Sequence, residues 1–297
     1  MVCELTMLGT SSMVPTKERN VQSFCLSFQG ELILVDCGEG TQRQMNIAGL
    51  NRTKVTKILL THWHGDHVSG LIGLLQTIGN GQVDHDILII GPRGTKERMN
   101  HLLQTVAYEK ELPLTIVEVE KEGEVHKTKD YHIEAYFLEH STPCVGYRFV
   151  EADKRNVLMT KIPKDLPGIL VGKLSEGKPV AWKEKTIKAE DVTSVKKGKV
   201  IGFVADTALC NGCFAVAKEA DLLITECTYA KQHKEKAHEY KHLCTQDVCA
   251  IISQAEPKKT VATHFSQRYK DLALIEEELK TCSDDVELGH DFKKIKI

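Results

Sequence analysis

The chain contains no apolar run approaching the roughly 20 residues that a membrane span needs, and its opening stretch as far as Leu8 is too short and too acidic for a secretory signal. No Pro/Gly/Ser-rich linker interrupts its 297 residues, a length that can bury a full core, so we read a single domain over 1–297 that carries an insertion. Ten cysteines are scattered without the spacing of a disulfide framework; they read as reduced thiols packed like small apolar residues, which fits the cytoplasm. One close pair, Cys210-Asn211-Gly212-Cys213, is a lone C-x-x-C, open to ordinary packing and to a redox or metal accessory role. An excess of positive charge is also missing. The net charge is −2, which argues against a uniformly basic coat for nucleic acid but leaves room for a local patch.

Such a patch is present. From Asp153 to Lys199 twelve basic residues, among them Lys161, Lys164 and Lys173, stand against six acidic ones, a net +6 inside a chain of net −2. The first part of this segment, 153–182, sets Pro163, Pro167-Gly168, Gly172, Gly177 and Pro179 among its lysines and shows little helical or alternating pattern, so it reads as an irregular basic insert. On both sides of it, strand-like runs alternate with helical patterns. Before it come runs at 3–8, 31–35, 57–60, 87–90, 114–119, 131–138 and 145–150, with helical spacing at 40–48, 68–78 and 96–106. After it, strands at 200–205, 222–225 and 260–263 interleave with helices near 214–219, 245–254 and 272–281. Strands interleaved with helices argue an α/β layered fold.

The densest chemistry lies in His62-Trp63-His64-Gly65-Asp66-His67, directly after the apolar run Ile58-Leu59-Leu60. Three imidazoles and a carboxylate at a tight turn, with Gly65 supplying backbone freedom, point to a metal site: His62 and His64 can face one cation while Asp66 and His67 face a second. Downstream, His140, Asp206 and His264 each end an apolar run.

The H-x-H-x-D-H pattern resembles the metallo-β-lactamase superfamily. The segment Val35-Asp36-Cys37-Gly38-Glu39-Gly40-Thr41-Gln42-Arg43-Gln44, the stretch Pro15-Thr16-Lys17-Glu18-Arg19-Asn20, and Thr263-His264-Phe265-Ser266-Gln267-Arg268-Tyr269 resemble the ribonuclease Z family within it. That resemblance implies an αββα sandwich of two mixed β-sheets flanked by helices, the two α/β series forming its halves. It implies a first metal on His62, His64 and His140, a second on Asp66, His67 and His264, and Asp206 bridging both. Nitrogen-rich ligation without cysteine favours two zinc ions, with manganese, cobalt or iron as substitutes; a histidine at position 64, where diiron relatives of the fold place glutamate, turns the expectation from redox chemistry to hydrolysis.

The implied reaction is removal of the 3′ trailer from precursor tRNA by a metal-dependent endoribonuclease, leaving a 3′-hydroxyl on the tRNA and a 5′-phosphate on the trailer. Asp66 would take a proton from the attacking water. His242, oriented by Glu226, would protonate the leaving ribose oxygen, although His233 and His238 lie in the same polar run. Ser266 and Arg268 would bind the neighbouring phosphate, Arg268 bidentately, while Asp36, Glu39 and Arg43 would support the metal loops. The insert is similar to the family's tRNA-gripping arm, though short and lacking the usual Gly-Pro pair, and the family implies a homodimer. A dinuclear hydrolase of a small phosphodiester, thioester or sulfate ester is the alternative.

Overall fold

Along Tyr131–Leu138 buried and half-exposed side chains alternate, Tyr131, Ile133 and Ala135 pointing inward, the pattern of a strand covered on one face. Leu222–Glu226 and Thr260–Thr263 are buried at every position, as expected of parallel strands covered on both faces. The computed structural model describes residues 3–81, 83, 85–107 and 112–297. Seven strands form a first mixed sheet in the order Lys294–Lys296, Cys3–Gly9, Ser23–Phe28, Glu31–Val35, Val55–Leu59, Ile87–Pro92, Leu114–Val119. The second orders Val286–Leu288, Thr260–Thr263, Leu222–Glu226, Val200–Val204, Cys144–Glu151, Tyr131–Leu138, Gly123–Lys127.

Helices cover the outer face of each sheet. Met45, Leu71, Leu75, Ile78 and Met99 pack with Leu34, Ile58 and Ile89 of the first; Val216, Val248, Ile251, Ile275 and Leu279 pack with Leu223, Ala262 and Val286 of the second. The inner faces meet through aromatic pairs, Phe24 on Phe203 with centroids 6.1 Å apart and Phe28 edge-on to Phe149 at 5.0 Å. This is the expected αββα sandwich. Strand ends agree with the sequence reading to within two residues, but four strands of these two sheets lie outside it: Ser23–Phe28, Gly123–Lys127, Val286–Leu288 and Lys294–Lys296. Ser23–Phe28 is buried at five of its six positions, so it lacks the alternation that marks a strand. The helical stretch read over 68–78 is two helices, Gly65–Val68 and Leu71–Asn80.

The chain divides into two compact units, the sandwich (1–126, 133–149, 200–297) and a smaller one (127–132, 150–199). The smaller unit is folded where the composition suggests an irregular insert. Lys154–Val157 pairs antiparallel with Thr193–Lys196, and Val180–Trp182 with Lys185–Ile187, around a core of Ile162, Leu166, Leu174, Val180, Ala189 and Val192. Pro167, read as a breaker, caps the helix Gly168–Ser175. The hairpin turn uses Lys183 and Glu184 at φ 45° and 60°, conformations usually signalled by Asn-Gly; without that signal the hairpin is silent in sequence. Lys161, Lys164 and Lys173 are exposed on this unit.

The reduced-thiol expectation needs one correction. Cys249, in the helix Thr245–Ala255, and Cys282, just beyond Ala273–Lys280, form a disulfide with Cα atoms 5.5 Å apart, because packing of the two helices brings together thiols 33 residues apart in sequence. The other eight are free. No helix among the described residues is long and apolar enough to cross a membrane.

The buried Tyr147 hydroxyl of the second sheet donates to Leu60 O at 2.7 Å, just before the His62 motif on the first. Tyr147→Phe strands that carbonyl and should cost about 1–3 kcal/mol, read as a lower urea midpoint at unchanged slope.

Candidate metal centre

The cleft is built at the ends of strands. Val55–Leu59 delivers the chain to Leu60 and Thr61, then into the motif, and Gly65 opens a one-turn helix carrying Asp66 and His67. Gly38 allows this loop to lie close: a Cβ there would stand 2.1 Å from Asp66 O. From the second sheet come His140 after Tyr131–Leu138, Asp206 after Val200–Val204, Glu226 at the end of its strand and His264 after Thr260–Thr263. His264 holds a left-handed backbone, φ 60°, which turns its ring back toward the other sheet.

These residues meet in three groups whose ligand atoms lie within 4.8 Å of one another: His62, His64, His140 and Asp206; Asp66, His67, Asp206 and His264; Glu226, His242 and His264. His64 Nδ1 is 3.0 Å from His62 Nε2 and 3.2 Å from His140 Nε2. His264 Nε2 stands 3.2 Å from Asp206 Oδ1, and His67 Nε2 3.3 Å from Asp66 Oδ2 and 3.5 Å from Asp206 Oδ2. Ligands about 2.0–2.1 Å from a tetrahedral cation are themselves about 3.3 Å apart. His67 Nε2, His264 Nε2 and Asp206 Oδ1 are buried with no hydrogen-bond partner, although orphaned buried polar atoms are costly. Their convergence fits a divalent metal, and Asp206 belongs to both sets.

The opposite nitrogen of each ring is occupied, which fixes its tautomer. His67 Nδ1 donates to the buried Asp36 carboxylate at 2.7 Å. Thr61 also donates to Asp36, through its backbone N–H at 2.8 Å and its hydroxyl at 2.9 Å, and that hydroxyl accepts from His62 Nδ1 at 3.1 Å. In the other half, Thr228 Oγ1 donates to Glu226 at 2.5 Å and accepts from His264 Nδ1 at 2.8 Å. His140 Nδ1 donates to Lys241 O at 3.0 Å. Thr61, Thr207, Thr228 and Lys241 are not singled out by the sequence; only the position of the threonines within two residues of His62, Asp206 and Glu226 hints at them.

His242 Nδ1 donates to Glu226 Oε1 at 3.0 Å. Burial opposes charge on this ring, but the Glu226 carboxylate, and Asp206 beyond it, overcome that and push it up to about 9. Burial likewise disfavours the Asp66 carboxylate, yet the imidazoles of His264 and His67 beside it hold it well below the usual range. The other candidates are turned elsewhere: His233 Nδ1 pairs with Tyr269 Oη at 2.8 Å, and His238 Nε2 with Asp247 at 3.3 Å.

The cleft has a volume of about 710 Å³, with Met13, Tyr229 and Tyr240 on its walls. Ser266 and Arg268 bond each other at 3.3 Å rather than forming its lining, and the Arg268 guanidinium stacks 5.1 Å over the Tyr229 ring. Glu39 lines the cleft, and Arg43 reaches Gln44 at 3.5 Å.

A family model described as anti-Pycsar protein Apyc1 matches residues 3–160. Ribonuclease Z of Streptomyces coelicolor is 36% identical over 271 residues, 91% of this chain and 89% of its own. That of Protochlamydia amoebophila is 36% identical over 94% of this chain and 92% of its own. Among solved structures, the short form of human tRNase Z aligns at TM-score 0.72 with 26% identity, covering 98% of both chains. The metallo-β-lactamase fold protein YhfI of Bacillus subtilis aligns at 0.71 with 16% identity over 100% of this chain and 99% of its own, a likeness of fold. With about a third of its residues shared over nine-tenths of its length, this chain belongs to the ribonuclease Z family, on the metallo-β-lactamase fold, and its N-terminal half also belongs to the family that the Apyc1 model describes.

Proposed function

We propose that the protein is a zinc-dependent endoribonuclease that removes the 3′ trailer from precursor tRNA, leaving a 3′-hydroxyl on the tRNA and a 5′-phosphate on the trailer. The observation that carries the reading is the juxtaposition of two ligand sets sharing Asp206 with the His242–Glu226 pair, in a chain about one-third identical to ribonucleases Z throughout. His62, His64 and His140 would hold one ion and Asp66, His67 and His264 another, with the Asp206 carboxylate common to both groups. Two bound divalent ions supply Lewis acidity toward water and the phosphoryl oxygens. Asp66, kept ionised by its histidine neighbours, takes the proton of the attacking water. His242, kept protonated by Glu226, gives its proton to the departing ribose 3′-oxygen. Arg268 and Ser266 bind the adjacent phosphate, and Lys161, Lys164 and Lys173 grip the tRNA body, the smaller unit acting as an arm. The working form is a cytoplasmic homodimer.

Loaded with zinc, the protein should hold two equivalents per chain and cleave precursor tRNA in preference to small phosphodiesters, thioesters or sulfate esters. Chelation should abolish cleavage, and Asp206→Ala should lower occupancy of both sites. Full activity with one bound ion would remove the two-metal reading, and preference for a small ester would move the function to that alternative.

Because a general acid works protonated, His242→Ala should slow RNA cleavage by about 10²–10⁴ while barely affecting a nitrophenyl phosphodiester, whose phenolate leaves unaided. Glu226→Gln removes the charge that raises His242, so the alkaline limb of the RNA pH–rate profile should move from about 9 to lower pH. Equal losses on both substrates would reassign His242 to holding the site together.

Reversing Lys161, Lys164 and Lys173 to glutamate should weaken precursor binding. Its salt dependence should flatten by up to about one log–log unit for every duplex phosphate that a lysine no longer neutralises. Small-ester hydrolysis should continue at the wild-type rate. Normal precursor binding across a salt titration would discard the arm.

A further inference from the structure

Four residues beyond Asp206 lies a reactive cluster that this chemistry leaves unused. Cys210 Sγ and Cys213 Sγ are 3.7 Å apart where the helix Asn211–Ala217 begins, Cys210 at its N-cap in an extended conformation and Cys213 in its first turn. Gly212 between them is sterically required, since a Cβ would stand 2.0 Å from Phe137 O; the helix start therefore packs against the strand that leads to His140. Cys213 is buried, and Cys210 is the one free thiol among the described residues that is not. A hydrogen bond from Cys213, then one from Thr207, hold the Cys210 thiol down to about 5 against the opposing effect of burial, whereas burial pushes Cys25 and Cys37 up to about 12. Thiolate character with partial exposure is what makes a cysteine reactive.

The pair is tied to the ligand-bearing segments. Thr207 Oγ1 lies 3.6 Å from Cys210 Sγ and accepts from Glu139 N at 3.0 Å, while Thr207 N donates to Glu226 at 2.8 Å. Ala208 N donates to Glu139 O at 2.8 Å. The turn from Asp206 to Cys210 thus clamps the neighbours of His140 and Asp206 together.

We propose that Cys210 and Cys213 form a thiol–disulfide exchange site for low-molecular-weight disulfides of the glutathione class, and that its oxidation loosens the hold of Asp206 on metal. The second part rests on the metal-site reading above; the first does not. The Cys210 thiolate attacks one sulfur of the reagent, whose S–S bond breaks; one half stays on Cys210 and the other leaves as a thiolate, taking up the proton that Cys213 gives up. The Cys213 sulfur then attacks Cys210 Sγ, forming the protein disulfide and expelling the second half, which takes a proton from water. Two protein sulfurs are oxidised by two electrons, and one disulfide is reduced to two thiols. Closing the sulfurs to about 2.05 Å breaks the Thr207 interaction and pulls on the turn that carries Asp206.

The test treats the metal-loaded full chain with oxidised glutathione, alkylates the remaining thiols, maps peptides by mass and times metal loss to a chelator. We expect a Cys210–Cys213 disulfide and severalfold faster metal loss in the wild type, both reversed by dithiothreitol. Neither change should occur in Cys210→Ser, and Cys213→Ala should stop at a glutathione adduct on Cys210. Alkylation of both thiols after treatment would overturn the exchange site, and a disulfide with unchanged metal loss would overturn the coupling. Neither readout uses catalysis, so failure to cleave precursor tRNA would sink the functional reading without touching this one. A reduced protein that retains no metal would expose a failed metal-site reading before any oxidant is added.

Discussion

The cleft depends on one buried carboxylate. Asp36 is fully enclosed and held in a left-handed conformation at φ 59°, a backbone state that Asp tolerates better than most residues. Burying a carboxylate costs several kcal/mol unless it is well paired; here Thr61 N–H, the Thr61 hydroxyl, His67 Nδ1 and Gln22 Nε2 all donate to it. Because the Thr61 hydroxyl is committed to Asp36, it can only accept from His62. One carboxylate thereby sets the tautomer of two imidazoles and turns the Nε2 of each toward the cleft. Glu226 and Thr228 repeat the arrangement in the opposite half, steering His264 and His242. Both supports come from strand ends: Thr61 follows Val55–Leu59 and adjoins His62, while Glu226 ends Leu222–Glu226 with Thr228 two residues on.

The candidate ligands are legible in sequence because strand ends are where the chain leaves a sheet with side chains free to converge, and an imidazole or carboxylate at such a point breaks an otherwise apolar run. His140, Asp206 and His264 stand out on that ground, and their assignment to particular ions follows the family resemblance. The supporting threonines do not stand out. A threonine at a strand end suits β-structure on propensity alone, and nothing in its identity reveals that its hydroxyl relays a hydrogen bond. Ser266 and Arg268 are legible as a pair, but the stacking of Arg268 on Tyr229 depends on a loop path that no periodicity encodes.

The smaller unit shows a different limit. Its core is six mostly singly placed apolar residues among lysines, too sparse to give a helical or an alternating pattern, and its tightest turn uses Lys183 and Glu184 in place of glycine. Composition records the charge of the segment and hides its fold. The Cys249–Cys282 bond is hidden for another reason: it joins two helices whose adjacency is a tertiary fact, and half-buried cysteines on helix faces look the same in sequence whether bonded or free.

The division of the ligands along the chain bears on how the site is made during synthesis. His62, His64, Asp66, His67 and His140 all precede the basic segment, while Asp206 and His264 follow it. A nascent chain paused within that segment has three imidazoles of one candidate group and Asp66 and His67 of the other, and lacks the carboxylate common to both. Asp36 and the Thr61 and His67 that it orients all lie in this early part. The shared carboxylate joins only after residue 206 has emerged, and the second set closes only with residue 264, just past the last strand but two. The order of the sequence itself thus leaves any ribosome-bound fragment that ends before residue 264 without a complete second group.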